Sequence, residues 1–204
     1  SMTAAICHRG PDATAYYESP NQHAVFGHNR LSITGVDGKA SQLMVNKKGS
    51  DHHVAVTFNG EIFNFMEVRQ ELEAKGYTFV TASDTEVIPH AWHEWGEACV
   101  ERFKGEFAFV VYDEEADSMF MARDRTGVKP LFYSQTPDGH FVFGSEPKAL
   151  LESPHVQRQI NREALAEFLL EAHTFAGAIH DPGASFYEGI EQLKAGYIGV
   201  LSKE

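Results

Sequence analysis

At 204 residues the chain is long enough to bury a core without covalent staples, and its formal charge of −12, from 17 basic and 29 acidic residues, opposes binding to phosphate backbones or anionic membrane surfaces. A hydrophobic content of 43%, with 15 Phe and 7 Tyr, marks a globular rather than a disordered chain, and the length fits a single domain over residues 1–204. No apolar run approaches the roughly 20 residues that span a bilayer, and the N-terminus lacks the charged-then-apolar plan of a signal peptide. A cytoplasmic protein with neither a nucleic-acid nor a membrane partner is therefore expected. Cys7 and Cys99 are too few for a disulfide scaffold and lack the paired spacing of a structural zinc site, which suits a reducing compartment.

Taken in chain order, residues 23–27 and 30–33 alternate loosely as strands. Residues 54–58 are β-rich and stop at Asn59-Gly60, a dipeptide that takes positive φ readily, so a strand ending in a tight turn is predicted. Asn64 and Glu67 have the spacing of a capping box for a helix with Phe65, Val68 and Leu72 on one face and Gly76 as its stop. Ser83 and Glu86 offer the same box for a second helix through Val87, Ala91 and Trp95, in which Pro89 predicts a kink or a late start. Residues 107–112 form a nearly continuous apolar run, the signature of a strand covered on both faces. Strands at residues 118–123, 131–133 and 141–143, separated by turn-like residues, extend it into an expected meander, and Asn161 caps a third helix carrying Leu165, Phe168 and Leu169. Sheets and helices in stacked layers, an α+β architecture, follow from that order.

Among the 11 histidines, His90 and His93 stand at a helical i, i+3 spacing that would suit a metal. No third ligand follows on a compatible element, and the zincin pattern fails after His93-Glu94, so the pair reads as a solvated helix face and no metal is expected.

A series of short segments keeps a common order along the chain: His8-Arg9-Gly10-Pro11-Asp12, His28-Asn29-Arg30-Leu31-Ser32-Ile33, Asn59-Gly60-Glu61-Ile62-Phe63-Asn64, Ser83-Asp84-Thr85-Glu86-Val87-Ile88, Arg123-Asp124-Arg125-Thr126-Gly127-Val128-Lys129-Pro130-Leu131 and Ser145-Glu146-Pro147-Lys148-Ala149-Leu150. In sequence and spacing they resemble class II glutamine amidotransferases, the branch of the N-terminal-nucleophile hydrolases that includes the glutaminase domain of asparagine synthetase. The resemblance implies a four-layer αββα sandwich whose first strand is missing from this chain. It also implies that Arg30 holds the glutamine α-carboxylate, as a planar bidentate donor can, with Leu31 and Ile33 in the same substrate-binding segment. Glu61 and Asp84 would receive the α-ammonium. The Asn59 side-chain amide and the Gly60 backbone N–H would form the oxyanion hole. Taken singly each residue has a plainer reading: Asn59-Gly60 as a hairpin turn, Asp84 as a helix cap, Glu61 and Arg30 as surface charges. The other motif segments are expected to form loops and walls around the site or toward a partner domain, without catalysis.

The family nucleophile is a cysteine at the mature N-terminus whose own α-amine, with an ordinary pKa near 8, accepts the thiol proton. Here the chain opens Ser1-Met2-Thr3-Ala4-Ala5-Ile6-Cys7, which resembles the end of the helix before the His-Arg-Gly-Pro-Asp segment. A shortened chain, an upstream segment outside this sequence, and a natural form without a nucleophile are the three readings. Cys7 has no α-amine and, adjacent to His8, cannot face it on a helix or an extended chain, so it is not expected to substitute; Cys99 reads as a core thiol. The ATP-pyrophosphatase motif of asparagine synthetases does not occur, so no cofactor is expected in this domain, with ATP and Mg confined to a synthetase domain. The resemblance thus implies glutamine hydrolysis delivering ammonia for the amidation of aspartate, with glutamine and a synthetase domain as partners and a homodimer compatible. The alternative is a non-catalytic module that packs against a synthetase.

Overall fold

Alternation of large apolar side chains to both sides of a central sheet organises this fold. The computed structural model describes residues 1–31, 43–48, 52–171 and 183–202. In chain order the strands are β1 (Ala13–Glu18), β2 (Val25–Arg30), β3 (Leu43–Lys48), β4 (His52–Ile62), β5 (Gly105–Asp113), β6 (Ser118–Arg123), β7 (Phe132–Gln135), β8 (Phe141–Gly144), β9 (Glu191–Gln192) and β10 (Ile198–Ser202). The α-helices are α1 (Met2–Ala5), α2 (Phe65–Ala74), α3 (Val87–Trp95), α4 (Pro147–Leu150) and α5 (Arg162–Glu171). One sheet runs β10-β6-β5-β4-β3, a second pairs β1 with β2, and a third runs β8-β7-β9, with antiparallel pairing throughout.

The side chains of β5 show how the layers stack. Phe107, Phe109 and Val111 join Val54, Val56 and Phe58 of β4 in a core closed by Val68 and Leu72 of α2 and Val87, Ile88 and Ala91 of α3. Ala108, Val110 and Tyr112 point the other way, into a second core with Phe26 of β2, Leu131 and the β7–β8 residues Tyr133, Phe141 and Phe143. The opposite faces of β7 and β8, through Phe132 and Val142, pack on Ala149 and Leu150 of α4 with Met2 and Ile6. The order is therefore helix, sheet, sheet, helix: the four-layer αββα sandwich that the resemblance implies. A strand buried on both faces needs an unbroken apolar run, which is why residues 107–112 were legible as one.

Several local expectations give way to tertiary contacts. Asn59-Gly60 is not a turn; β4 runs straight through it to Ile62, each residue paired with β5. Gly60 takes φ 145, and a Cβ there would meet the Glu106 carbonyl oxygen at 2.1 Å, so glycine is required by a close backbone approach rather than by a hairpin. The expected meander breaks at Asp124: β5 and β6 pair in one sheet, whereas β7 and β8 pair in another. Neither capping box closes as drawn. Asn64 precedes α2, but its side chain accepts from the Lys104 N–H and donates to the Arg102 carbonyl, tying α2 to the start of β5. Ser83 does cap a short 3-10 turn over Asp84–Glu86, and α3 begins at Val87, so Pro89 falls in its first turn, where its ring is tolerated. Asn161 caps α5 by accepting from the Ala164 N–H; of its apolar residues, Leu165, Phe168 and Leu169 stay exposed and Ala164 is buried. His90, expected on a solvated face, is buried, its ring 4.6 Å from that of Phe79 and 5.3 Å from that of Tyr77; burial pushes its imidazole pKa down.

The loop before α3 depends on one buried carboxylate. Glu86 accepts from the Val80 and Thr81 N–H groups, each at 2.7 Å, and from the Thr81 hydroxyl at 2.6 Å. Removing it strands those donors, so Glu86→Ala is expected to cost about 3 kcal/mol. The measurement is the midpoint of urea unfolding at an unchanged denaturant slope; a loss below about 1 kcal/mol would mean that water replaces the carboxylate.

Candidate active site

Between β2 and β8, a cleft of about 500 Å³ passes through the layer formed by the second and third sheets, from α1 and α4 down to β4 and β5. The Phe26 and Phe143 rings meet edge to face at 5.4 Å at this place. Among the described residues β2 pairs only with β1 and β8 only with β7, so each presents its other edge toward the cleft region.

The floor of the cleft is the second half of β4. Strand alternation sends Ala55, Thr57, Asn59 and Glu61 to the face turned away from α2 and α3, and Asn59, Gly60 and Glu61 all line the cleft. The Asn59 Nδ2 is buried and, among the described residues, has no hydrogen-bond acceptor. A buried amide donor without a partner is costly, on the order of 1–3 kcal/mol, and such groups mark places where a ligand or water supplies the acceptor.

Backbone direction at Gly60 follows from its neighbour. Phe107, opposite Gly60, spends its N–H on Asp124 Oδ2 and its C=O on the Asp124 N–H. The Gly60–Phe107 pair is therefore a non-hydrogen-bonded one, and the Gly60 N–H points away from β5. Two residues on, the Ile62 N–H points to the same edge and donates to Asp84 Oδ2 at 3.0 Å. That bond carries Asp84 to the β4 edge beside Glu61, roughly 7 Å along the strand from the Gly60 N–H at about 3.3 Å per residue. Burial pushes the Asp84 carboxyl above its ordinary value and the Glu61 charge adds to this, against the lowering effect of the Ile62 and Thr85 N–H groups and the Ser83 hydroxyl. Two carboxylates side by side on a partly buried edge favour a cation between them.

On the facing strand, alternation places Phe26, His28 and Arg30 toward the central sheet, and His28 Nδ1 lies 3.2 Å from Thr57 Oγ1. Leu31 lines the cleft and is exposed, whereas Arg30 is half-buried and Asp84 half-buried, neither among the cleft-lining residues. The structure thus gathers Leu31, Asn59, Gly60 and Glu61 around one cavity and attaches Asp84 to its floor; Ile33 lies outside the described residues.

The motif segments without an assigned role form the walls. Glu146 receives His8 Nε2 at 2.9 Å, Arg9 Nη1 at 3.2 Å and Lys148 Nζ at 3.0 Å, joining two segments over 130 residues apart in sequence. Arg9 and Ser145, one from each, line the cleft. Asp124 is the residue that sequence reasoning missed. It accepts from the N–H groups of Phe107, Thr126, Val128 and Lys129 and from the Thr126 hydroxyl, folding residues 124–130 around a buried carboxylate. The loop then delivers Lys129, Pro130 and Leu131 to the cleft wall. Its only signal was Asp124-Arg125-Thr126-Gly127, an Asx-turn composition with a glycine at φ 67. Neither cysteine is placed to react in the cleft: Cys7 is exposed and is not a lining residue, and Cys99 is buried with its thiol pKa raised to about 12.

Residues 1–204 match the glutamine amidotransferase domain family. The chain belongs to that family. Asparagine synthetase [glutamine-hydrolyzing] 3 of Bacillus subtilis (strain 168) is 36% identical over 203 residues, covering 100% of this chain and 31% of the relative. A probable asparagine synthetase [glutamine-hydrolyzing] of Dictyostelium discoideum is 40% identical over 151 residues, 74% of this chain and 26% of the relative. The chain therefore spans less than a third of the length of either. Among solved structures, the allosteric regulatory enzyme of purine biosynthesis superposes with a TM-score of 0.54 and glutamine phosphoribosylpyrophosphate amidotransferase from B. subtilis with 0.52, each at 28% identity over 62% of this chain and 28% of the other. The amidotransferase family thus accounts for the whole chain, and the central-sheet cleft described above lies within the matched region.

Asp124 supplies a test of how the cleft wall of this amidotransferase domain is held. Burial alone would raise its carboxyl, but the donors from Lys129, Val128 and Thr126 outweigh that and hold it below the usual range. A depressed folded value means that stability is present above the unfolded pKa and lost as pH falls through the folded one. Asp124→Ala is expected to cost about 3 kcal/mol at pH 7, with the difference from the parent shrinking in acid. Urea unfolding of both proteins at pH 7 and pH 3 measures it; a constant difference would refute the anchoring role.

Proposed function

We propose that this domain binds glutamine in the cleft between β2 and β8 and releases its amide as ammonia, in a protein whose synthetase portion uses that ammonia to amidate aspartate or a similar carboxylate. The observation that carries the reading is the buried, unpartnered Asn59 amide beside a Gly60 N–H directed off the β4 ladder. Two such donors suit an amide oxygen that gains charge during acyl transfer. The spacing supports the same substrate. Asp84, held at Ile62, lies roughly 7 Å along the strand from Gly60, comparable with an extended glutamine, whose α-nitrogen and amide carbon are separated by four bonds of about 1.5 Å each, and Glu61 stands between the two. Arg30, on the face of β2 turned toward the central sheet, is the group for the α-carboxylate.

The nucleophile in this proposal is a cysteine at the N-terminus of an extended segment lying in the cleft, against the β2 and β8 edges. Its thiolate attacks the glutamine amide carbon, Asn59 and Gly60 stabilise the oxyanion, the carbon–nitrogen bond breaks to give ammonia, and water clears the thioester as glutamate. Aspartate is favoured as the acceptor because the relatives cited by sequence are named asparagine synthetases, at 36–40% identity, whereas the amidotransferases found by structure share 28%.

The direct test compares glutamine-to-glutamate turnover by this polypeptide with that of a version extended upstream by the native coding sequence. Activity is expected only in the extended protein and should disappear when its terminal cysteine becomes alanine. Asn59→Ala in the extended protein should lower kcat by about 100- to 1,000-fold with a smaller change in KM. Turnover by neither form would instead favour a non-catalytic module that packs against a synthetase.

Asp84 gives an independent readout. A ligand ammonium between Asp84 and Glu61 favours the ionised Asp84, so binding displaces a proton wherever the raised carboxyl is still protonated. Glutamine affinity should therefore rise as pH increases through the Asp84 value, and Asp84→Asn should weaken binding about tenfold or more and flatten that rise. Calorimetric titration between pH 4 and pH 8 measures both; identical profiles in parent and variant would remove Asp84 from the ligand site.

A further inference from the structure

Away from the cleft floor, the β7–β8 turn and the segment after α4 bring two imidazoles onto one carboxylate. His140 Nδ1 lies 3.3 Å from Asp138 Oδ1, and His155 Nδ1 lies 2.8 Å from Asp138 Oδ2. The two rings stack at 3.7 Å between centroids with 20° between their planes, so both Nδ1 atoms approach the same carboxylate. We propose that Asp138, His140 and His155 form a binding site for one divalent transition-metal ion of the zinc class.

The three side chains supply the ligand types that such an ion takes. One ligating atom from each residue can be chosen so that all lie within 4.8 Å of one another. A zinc ion at about 2.0–2.2 Å from each ligand sets them roughly 3.4 Å apart and meets each imidazole lone pair in its ring plane, so binding requires the two rings to rotate out of their stack. Two imidazoles with one carboxylate select zinc, cobalt, nickel or copper over magnesium or calcium, which prefer all-oxygen shells.

The turn also holds its ligands before any ion arrives. The Thr136 hydroxyl binds Asp138 Oδ1 and the His140 N–H, and the Thr136 backbone N–H donates to the His140 carbonyl at 2.8 Å. Gly139, at φ 88, completes the reversal. Partners of this kind fix the orientation of a ligating carboxylate. All three ligands are exposed, which leaves the remaining coordination positions to water, and the chain's net charge of −12 draws cations toward the surface.

The consequence reaches the cleft. His140 directly precedes β8, and Ser153, two residues before His155, lines the same cavity as Phe141 to Gly144. A bound ion would tie the β7–β8 turn to the segment after α4 at one end of the cleft wall. Sequence spacing gave no hint of this, because His155 lies 15 positions after His140 and comes from a different element. The plainer reading is a hydrogen-bonded clamp in which Asp138 bridges two imidazoles and no ion binds.

Titration of metal-free protein with Co²⁺ and Zn²⁺ separates the two. The expected result is one saturable equivalent, visible cobalt absorption that zinc displaces, and a melting temperature raised by Zn²⁺ and returned by EDTA. His140→Ala and His155→Ala should each weaken binding about 100-fold with unchanged circular dichroism, whereas His23→Ala, which alters an exposed His23–Asp117 pair elsewhere, should leave it unchanged. Both ligand positions are exposed, so folding should tolerate the substitutions; should one variant fail to fold, zinc-induced shifts of the His140 and His155 imidazole resonances in the parent decide the case. Absence of saturable binding, equal affinity in the folded ligand variants, or an equal loss in His23→Ala would overturn the site.

Discussion

The close approach of β4 and β5 at Gly60 and Gly105 is the constraint from which the site is built. A Cβ on Gly60 would meet the Glu106 carbonyl oxygen at 2.1 Å, and a Cβ on Gly105 would meet that of Glu61 at the same distance. Two glycines, one on each strand, therefore let the backbones close where the ladder ends. This approach fixes the pairing of Gly60 with Phe107, and the engagement of Phe107 with Asp124 turns the Gly60 N–H outward. Ile62 then reaches Asp84, and Asn59 and Glu61 face the second layer. A larger side chain at either glycine would disturb all of these relations together, since they share one length of backbone.

Around that floor, the walls are held by charged groups that bridge long sequence separations. Glu146 gathers His8, Arg9 and Lys148, and Asp124 gathers the N–H groups of its own loop together with that of Phe107. Arg123 adds its guanidinium to the carbonyls of Gly127, Lys129 and Leu193. These are bonds to backbone or between partly buried groups, where geometry is fixed and screening is reduced, so they shape the cleft more than exposed ion pairs such as Arg102 with Glu71.

How much of this was legible in the sequence varied with the range of the controlling interaction. The two-sided burial of β5 and the start of α3 near Pro89 rest on local pattern, and both were readable. Asn59-Gly60 was misleading because its turn propensity is local, while the contact that decides its conformation comes from Glu106 on another strand. Asn64 and Glu86 carried capping signals, yet their side chains found partners in Lys104 and in residues 80–81, which no window of a few residues reveals. The ordered motifs brought out Asn59, Gly60, Glu61 and Asp84 as a set. They did not disclose that Asp124 is a structural anchor, or that Asp138, His140 and His155 converge.

The contrast between the two cysteines has a practical side. Cys99 is enclosed in the core beneath α3 with a thiol that stays protonated in ordinary buffers, while Cys7 stands exposed two residues before the cleft-lining Arg9. Toward thiol-directed reagents the chain thus behaves as though it had one cysteine, next to the cleft rim. A fluorophore or spin label can be attached there without mutagenesis, which gives a built-in reporter of what enters the cleft.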